Sequence, residues 1–184
     1  MNGFALFTDV SLNPERKLGV GAYRCVPASF LEISPHNLKR SEVVGQLAVQ
    51  RFAETSSTQL EVRTVLWALE AYRNAQKDSG TGKLSVYSDS QCVAGLLKRR
   101  SGLEGKGFLG KRTNRLIKNA ALYRKFYELH DELGFEVIKV KGHSRSSSHD
   151  TVHRIFSIVD KQVRKALKTW MEELTSATID PHAG

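Results

Sequence analysis

The sequence predicts an α/β domain built on a five-stranded mixed sheet, with the first three strands antiparallel and helices on the faces of the sheet. Strand-like apolar segments dominate the first 54 residues, and helical segments then alternate with two more strands, a succession that favours a sheet flanked by helices. With 184 residues and 40% hydrophobic content, the chain can bury one sizeable core. We therefore expect one domain over residues 1–175 and a flexible tail over residues 176–184.

The first three strands are predicted from apolar segments bounded by turn residues. Residues 3–10 and 19–26 form two such segments, and the turn with Asn13 and Pro14 between them indicates an antiparallel pair. Residues 42–54 carry a third apolar segment, which we expect to be a strand.

Helices and strands alternate in the rest of the chain. In chain order we expect a helix over 58–77, a strand over 83–88, and helices over 90–100 and 121–133, followed by a strand over 135–141 and a helix over 155–174. Val65, Leu69 and Tyr72 share one face of the first of these helices, so that face should pack on the sheet. Gly134 predicts the end of the helix before it.

Composition narrows the class of function. The 28 Lys and Arg residues exceed the 19 Asp and Glu residues, and the net charge of +9 favours a polyanionic partner. No apolar run reaches the ~18 residues that a membrane span needs, and the N-terminus lacks the pattern of a signal peptide. Cys25 and Cys92 form no CxxC pattern. We expect a soluble, cytoplasmic protein.

Ten basic residues and one acid lie within residues 98–125. Such a run is commonly a solvated face. Because glycines in the same segment allow a close approach of the backbone, a protrusion that grips nucleic acid is an equally good interpretation.

Two aspartates stand at the ends of predicted strands. Asp9 ends the first strand, and Asp89 stands between a strand and a helix in the stretch VYSDSQCVAGLL. An aspartate that enters a turn is ordinary, and an acid at a helix start can cap the first turn. These two residues therefore acquire a functional meaning only in the company of other acids.

Glu61 and Asp160 are carboxylates on helix faces that should be buried. Glu61 shares the face of Val65, although a capping box with Thr58 would also explain it. Asp160 shares its face with apolar residues, so a positive group must meet it. Lys or Arg could do so. If all four acids converge, hard divalent cations such as Mg²⁺ would relieve their repulsion, and such a cluster suits phosphoryl chemistry.

The motifs FTD, TQLEVRTVLWALEA, SDSQCV, VKGH and VDKQVRKAL occur in this order, and the chain from Gly3 to Leu167 resembles type 1 ribonuclease H. The resemblance implies a ribonuclease H-like fold and cleavage of the RNA strand of an RNA·DNA hybrid. It also implies that Asp9, Glu61, Asp89 and Asp160 bind metal and that His143 is the loop histidine of the family.

The resemblance further implies which residues contact nucleic acid. Gln91 matches a substrate-contacting glutamine, and residues 98–118 resemble the family's basic handle. The expected contact residues are Asn13, Ser57, Thr58, Gln91, Arg99, Arg100, Lys111 and Arg112. Three positions depart from the common pattern: Val10 replaces a glycine, Ser57-Thr58 replaces an asparagine pair, and Phe156 replaces a polar residue.

The mechanism expected from the resemblance is hydrolysis with two Mg²⁺ or Mn²⁺ ions roughly 3.5–4 Å apart, which leaves 5′-phosphate and 3′-hydroxyl ends. Asp9 would bridge the ions. Among the loop histidines, His143 is favoured over His149, and His153, close to the last helix, is expected to be a first-turn or packing residue. We expect a monomer that needs no protein partner. Two alternatives stay open: a nuclease or resolvase of the same fold that acts on DNA, and a non-catalytic module that binds hybrids or RNA.

Overall fold

A computed structural model describes residues 3–76, 82–141 and 150–179. Its strands are β1 (Phe4–Asn13), β2 (Leu18–Pro27), β3 (Ala48–Phe52), β4 (Leu84–Ser88) and β5 (Glu136–Lys139). Its α-helices are α1 (Arg40–Val44), α2 (Ser57–Ala75), α3 (Gln91–Glu104), α4 (Ala120–Leu133) and α5 (Thr151–Ile179), and a short 3₁₀ helix spans Ala28–Glu32.

The strands form one sheet in the order β3-β2-β1-β4-β5. β2 pairs antiparallel with β1 and with β3, whereas β4 pairs parallel with β1 and with β5. The predicted mixed sheet, with its first three strands antiparallel, is confirmed. β1 is the central strand: residues Phe4 to Phe7 pair with β4 on one side and with β2 on the other, and the rest of β1 pairs with β2.

Helices cover both faces of the sheet. Successive residues of a strand point to opposite faces, and β1 follows this rule: Leu6 joins the core beneath α2, α3 and α4, while Ala5 and Phe7 join the core beneath α5. Buried apolar residues of α2, including Val65 and Leu69, pack in the first core as the helical periodicity predicts.

The prediction of a strand over residues 42–54 is wrong in its first half. Glu42 accepts a hydrogen bond from the Lys39 backbone N–H at 2.9 Å, which favours a helical turn, and α1 ends at the Gly45 cap. Val43 is fully buried in the core beneath α5. The apolar residues before Gly45 therefore fill the core, and pairing with β2 begins at Ala48.

The bounds of the helices differ most at the ends of α5. Asp150 accepts the backbone N–H of His153 at 2.7 Å, so the helix begins at Thr151, four residues earlier than predicted. It continues to Ile179, which makes residues 176–179 of the expected tail helical, while residues 180–184 lie outside the described ranges. No helix in those ranges has the length and apolar character that crossing a membrane requires.

α2 packs closely on β2 where Gly21 faces Thr64. A Cβ atom at Gly21 would lie 2.1 Å from Thr64 Oγ1 and 2.9 Å from its Cγ2. Because Thr64 is fully buried, Gly21→Ala should lower the free energy of unfolding by about 1–3 kcal/mol, measured by urea denaturation. Adding Thr64→Ala should recover part of this loss.

Gly102 in α3 provides the control for this substitution. A Cβ atom there meets nothing within 4 Å, so Gly102→Ala should leave the stability unchanged or raise it by up to about 1 kcal/mol through helix propensity. Equal effects of the two substitutions would contradict the close packing at Gly21.

Candidate active site

Asp9 lies within β1, four residues before its end, so the prediction that Asp9 ends the first strand is wrong, whereas Asp89 follows the last residue of β4. The pairing of β1 with β4 stops at Phe7 and Tyr87, which leaves Asp9 and Asp89 at the same end of this strand pair. The two strands are parallel, with Phe7 opposite Tyr87, and both aspartates follow that pair by two residues. The Phe7 and Tyr87 rings stack at 4.7 Å in the core beneath α5. Since residues two apart point to one face of a strand, Asp9 projects from β1 toward α5, the helix that carries Asp160.

Asp9 is only 6% exposed, and its Oδ2 atom has no hydrogen-bond partner among the described residues. Burial, followed by the negative charges of Asp89 and Asp160 and a hydrogen bond with Asp160, raises the pKa of Asp9 to about 8, although the Val10 N–H opposes this. Two of the other three predicted acids, Asp89 and Asp160, therefore act on Asp9 at this edge.

Ser90, rather than Asp89, caps α3. Its Oγ accepts the backbone N–H of Val93 at 3.2 Å, and its own N–H binds Ser88 Oγ at 3.2 Å. The capping role that offered an ordinary explanation for Asp89 thus belongs to its neighbour. Asp89 lies where its charge acts on Asp9.

Glu61 faces the same joint between β4 and α3. Its Oε2 accepts a hydrogen bond from Ser90 Oγ at 2.5 Å, and its Oε1 accepts a longer one from Ser57 Oγ at 3.4 Å. α2 begins at Ser57 with Ser56 as its N-cap, so the alternative of a capping box with Thr58 is wrong. Glu61 is instead oriented by the residue that follows Asp89.

Asp160 meets a positive group, as its position required. Arg164, one turn further along α5, donates from Nε to Asp160 Oδ1 at 2.8 Å. Phe156 and Val163 on the same helix are buried in the core beneath α5, while the Asp160 side chain is 26% exposed. Phe156 therefore serves packing at a position where a polar residue is common.

The acids suit a hard divalent cation. A buried carboxylate with an unpartnered oxygen, crowded by two further acids, gains most from a cation that replaces its proton. In residues 3–76, 82–141 and 150–179, no three His, Cys, Asp or Glu side chains stand close enough to form a ready metal cage. The individual metal ligands stay a prediction.

The predicted basic contact residues differ in their surroundings. Arg100 donates two hydrogen bonds to Asp131, at 2.5 and 2.7 Å, and one to Glu104 at 2.8 Å. Arg99 lies 5.7 Å from the centre of the Tyr123 ring and donates to the Cys92 carbonyl. These two arginines are therefore engaged within the protein.

Lys111 and Arg112 lie in an exposed turn between α3 and α4. The turn is closed by a hydrogen bond from the Gly110 N–H to the Arg115 carbonyl at 2.8 Å, and by a bridge between Leu109 and Leu116. Neither Lys111 nor Arg112 has an ion-pair partner among the described residues. The turn thus presents these two charges to solvent.

The other predicted contact residues lie at the end of β1 and at the starts of α2 and α3. Asn13 is at the end of β1, where its Oδ1 accepts the Arg16 N–H at 3.0 Å. Ser57 and Thr58 open α2. Gln91 is exposed at the start of α3, and its Oε1 accepts a hydrogen bond from Lys139 Nζ. The last three residues lie near Glu61 and Asp89 along the chain.

The loop histidines fall on either side of a gap in the described residues. His143 and His149 lie outside the described ranges. His153 is in the first turn of α5 and contacts Asp150 at 2.7 Å through Nδ1, which confirms its predicted place. The choice between His143 and His149 stays a prediction.

Three residues at this edge escaped the sequence analysis. Ser90 orients Glu61, Arg164 pairs with Asp160, and Lys139 contacts Gln91. The spacing of four between Asp160 and Arg164 could have predicted their pair on a helix. The contacts of Ser90 with Glu61 and of Lys139 with Gln91 join elements far apart in sequence, so no local sequence pattern predicts them.

Comparisons with known proteins agree with this architecture. A sequence model described as RNase H matches residues 1–169. A search of curated protein sequences found no significant match. Similar solved structures include LC11-RNase H1, isolated from compost by a metagenomic approach, with a TM-score of 0.55 and 13% identity over 91% of this chain and 99% of that one.

Two structures of a foamy viral protease-reverse transcriptase are also similar. The complex with dsDNA has a TM-score of 0.56 at 9% identity, covering 85% of this chain and 90% of that chain. The complex with RNA/DNA hybrid has a TM-score of 0.58 at 9% identity, covering 89% of this chain and 19% of that longer chain. At these identities the likeness shows the fold.

The raised pKa of Asp9 predicts an unusual dependence of stability on pH. Between the ordinary value of 3.8 and the folded value of about 8, the folded chain holds a proton that the unfolded chain has lost. The free energy of unfolding of the metal-free protein should therefore fall as pH rises through this window. Asp9→Asn should flatten the fall and stabilise the protein at pH 8 by on the order of 1 kcal/mol or more, measured by urea denaturation in EDTA.

Asp131→Asn is the control with the opposite sign. Its hydrogen bond with Arg100 lowers the pKa of Asp131, so Asp131 contributes stability that is lost as the solution becomes acidic. Its replacement should leave the fall between neutral and alkaline pH in place. If the Asp9→Asn and wild-type curves run parallel from about pH 5 to pH 8, Asp9 does not titrate as described.

Proposed function

The chain belongs to the RNase H family, and we propose that it is an endonuclease that hydrolyses the RNA strand of RNA·DNA hybrids. The observation that carries this proposal is the meeting of Asp9, Asp89 and Asp160 at one edge of an RNase H fold. The burial of Asp9, followed by the charges of Asp89 and Asp160, raises the pKa of Asp9 at the expense of stability, and such an arrangement is typical of a functional site.

In this proposal Asp9, Glu61, Asp89 and Asp160 would hold two Mg²⁺ or Mn²⁺ ions. When bound, the ions supply an activated water and stabilise the leaving oxygen, so that the products carry 5′-phosphate and 3′-hydroxyl ends. With a pKa of about 8, Asp9 holds a proton at neutral pH and must release it when it becomes a ligand.

Two neighbouring side chains prepare the acids for this role. Ser90 donates to Glu61 at 2.5 Å and fixes the direction in which the other carboxylate oxygen points. Arg164 holds the Asp160 carboxylate at 2.8 Å, which limits its rotation and supplies a positive charge beside the acids. His143, which lies outside the described residues, would move protons during the reaction or product release.

The duplex would be held partly by the turn that carries Lys111 and Arg112. Both side chains are exposed, and contacts between cations and phosphates supply much of the affinity of proteins for nucleic acids. The glutamine at the start of α3, Gln91, would approach the duplex beside the acids.

Cleavage of three matched duplexes tests the function directly. With Mg²⁺ or Mn²⁺, we expect cleavage of the RNA strand in RNA·DNA and no cleavage of RNA·RNA or DNA·DNA. Cleavage of DNA·DNA would instead indicate a DNA nuclease of the same fold. Binding of the hybrid without turnover under either metal would indicate a non-catalytic module.

Asp9→Asn should abolish cleavage of the hybrid while leaving the Kd within a few-fold of the wild-type value. The change is nearly isosteric and removes the carboxylate charge from the centre of the acid group, whereas the exposed cations are untouched. Single-turnover cleavage and fluorescence anisotropy measure the two quantities. Asp131→Asn, which removes an acid paired with Arg100, should retain activity. Substantial Mg²⁺-dependent cleavage by Asp9→Asn would refute the proposed site.

Replacing Lys111 and Arg112 together by Ala should weaken hybrid binding and flatten its salt dependence. Each lost phosphate contact should reduce the slope of log Kd against log salt concentration by nearly one unit. Arg100→Ala is the matched control, because its guanidinium is held by Asp131 and Glu104 and should leave the slope unchanged. The reverse pattern would show that the ion pairs of Arg100 open to admit a phosphate.

A further inference from the structure

The hydrogen bond between Lys139 and Gln91 joins β5 to the start of α3 beside the acids. In the register of β4 and β5, Lys139 lies opposite Ser88, the residue before Asp89. Gln91 follows Asp89 by two residues and opens α3. Both side chains are exposed, so this contact lies on the surface that borders the candidate active site.

The chemistry of the two groups decides which way the Gln91 carboxamide points. The ammonium group of lysine has three donors and no acceptor, whereas a carboxamide has one acceptor oxygen and an NH₂ donor group. Only Oε1 of Gln91 can therefore face Lys139 Nζ, as the structure places it. The NH₂ group is then directed away from Lys139.

We propose that Lys139 is a positioning residue that makes Gln91 a hydrogen-bond donor toward the bound duplex. The proposal rests on the function proposed above. The minor groove of a duplex presents mainly acceptors, purine N3 and pyrimidine O2, and RNA adds the oxygen of the 2′-hydroxyl group. A glutamine whose oxygen is already occupied is suited to such acceptors and cannot rotate its oxygen toward them without losing Lys139.

The surroundings of Lys139 support this role over a purely structural one. Lysines on edge strands such as β5 also discourage pairing with another sheet, a role that needs no specific partner. Lys83 lies near the opposite end of the same strand pair, where its Nζ forms an ion pair with Glu136 at 3.1 Å. Within the described ranges, Lys139 has Gln91 as its partner and no acid.

A double-mutant cycle on hybrid binding tests the proposal. All variants carry Asp9→Asn to prevent cleavage, and the Kd for an RNA·DNA hybrid is measured by anisotropy. Lys139→Met removes the donor but keeps the length of the side chain and should raise the Kd about 3- to 10-fold, the effect of one hydrogen bond. In a Gln91→Ala background the same change should raise it less than about 2-fold, because the two residues act as one unit.

Two further variants separate positioning from charge. Lys139→Arg retains donors and should restore a Kd near that of the parent, whereas Lys83→Met makes the same change of charge at the far end of the strands and should leave the Kd unchanged. Lys139→Met should also leave the salt slope as it was, since its effect passes through Gln91. With Asp9 restored, it should raise KM and spare kcat.

The outcomes distinguish the failure of this inference from failure of the function. If the parent does not bind the hybrid at all, the proposed function fails first. If the parent binds but Lys139→Met has no effect, or has an equal effect in the Gln91→Ala background, Lys139 does not position Gln91. If Lys139→Met raises the Kd equally in both backgrounds and also reduces the slope of log Kd against log salt concentration by nearly one unit, Lys139 contacts a phosphate independently of Gln91. That result would overturn the proposal.

Discussion

The burial of the Asp9 carboxylate beside Asp89 and Asp160 is the constraint on which this edge of the sheet depends. Asp9 lies on the central strand and is only 6% exposed, so little water reaches it to stabilise its charge. The folded chain accommodates it by holding a proton, as the pKa of about 8 shows. A cation that displaces this proton would relieve the same repulsion, which links the cost of the fold to the proposed chemistry.

The joint between β4 and α3 connects this constraint to the rest of the molecule. Ser90 caps α3, accepts the Val93 N–H and donates to Glu61 on α2, so one hydroxyl group ties two helices to the strand end that carries Asp89. α2 is held against β2 where Gly21 admits Thr64. Rigid packing behind the acids therefore supports the direction of Glu61, and a change at this joint acts on the helix cap and the acid together.

Local patterns predicted those parts of the fold that local interactions determine. Gly134 ends α4 in the left-handed conformation, with φ of 63°, as its place in the sequence indicated. The predicted strand over residues 42–54 was wrong at its start, because Glu42 accepts the Lys39 N–H and this apolar segment is helical. Strand ends and helix faces left the convergence of Asp9, Asp89 and Asp160 a condition, and the resemblance to type 1 ribonuclease H supplied it. The pair of Arg100 and Asp131 was not predicted, since 31 residues separate the two partners.

The basic residues differ in what they contact, and several are engaged by other groups of the protein. The net charge therefore overstates the surface available to a polyanion. Arg100 and Arg164 are held by carboxylates, Arg99 lies over an aromatic ring, and Lys139 faces a carboxamide. Breaking such contacts would offset part of any gain from a phosphate. Arg164 and Lys139, which lie near the acids, thus contact the protein's own polar groups. Lys111 and Arg112 in the exposed turn can bind a ligand without breaking such contacts.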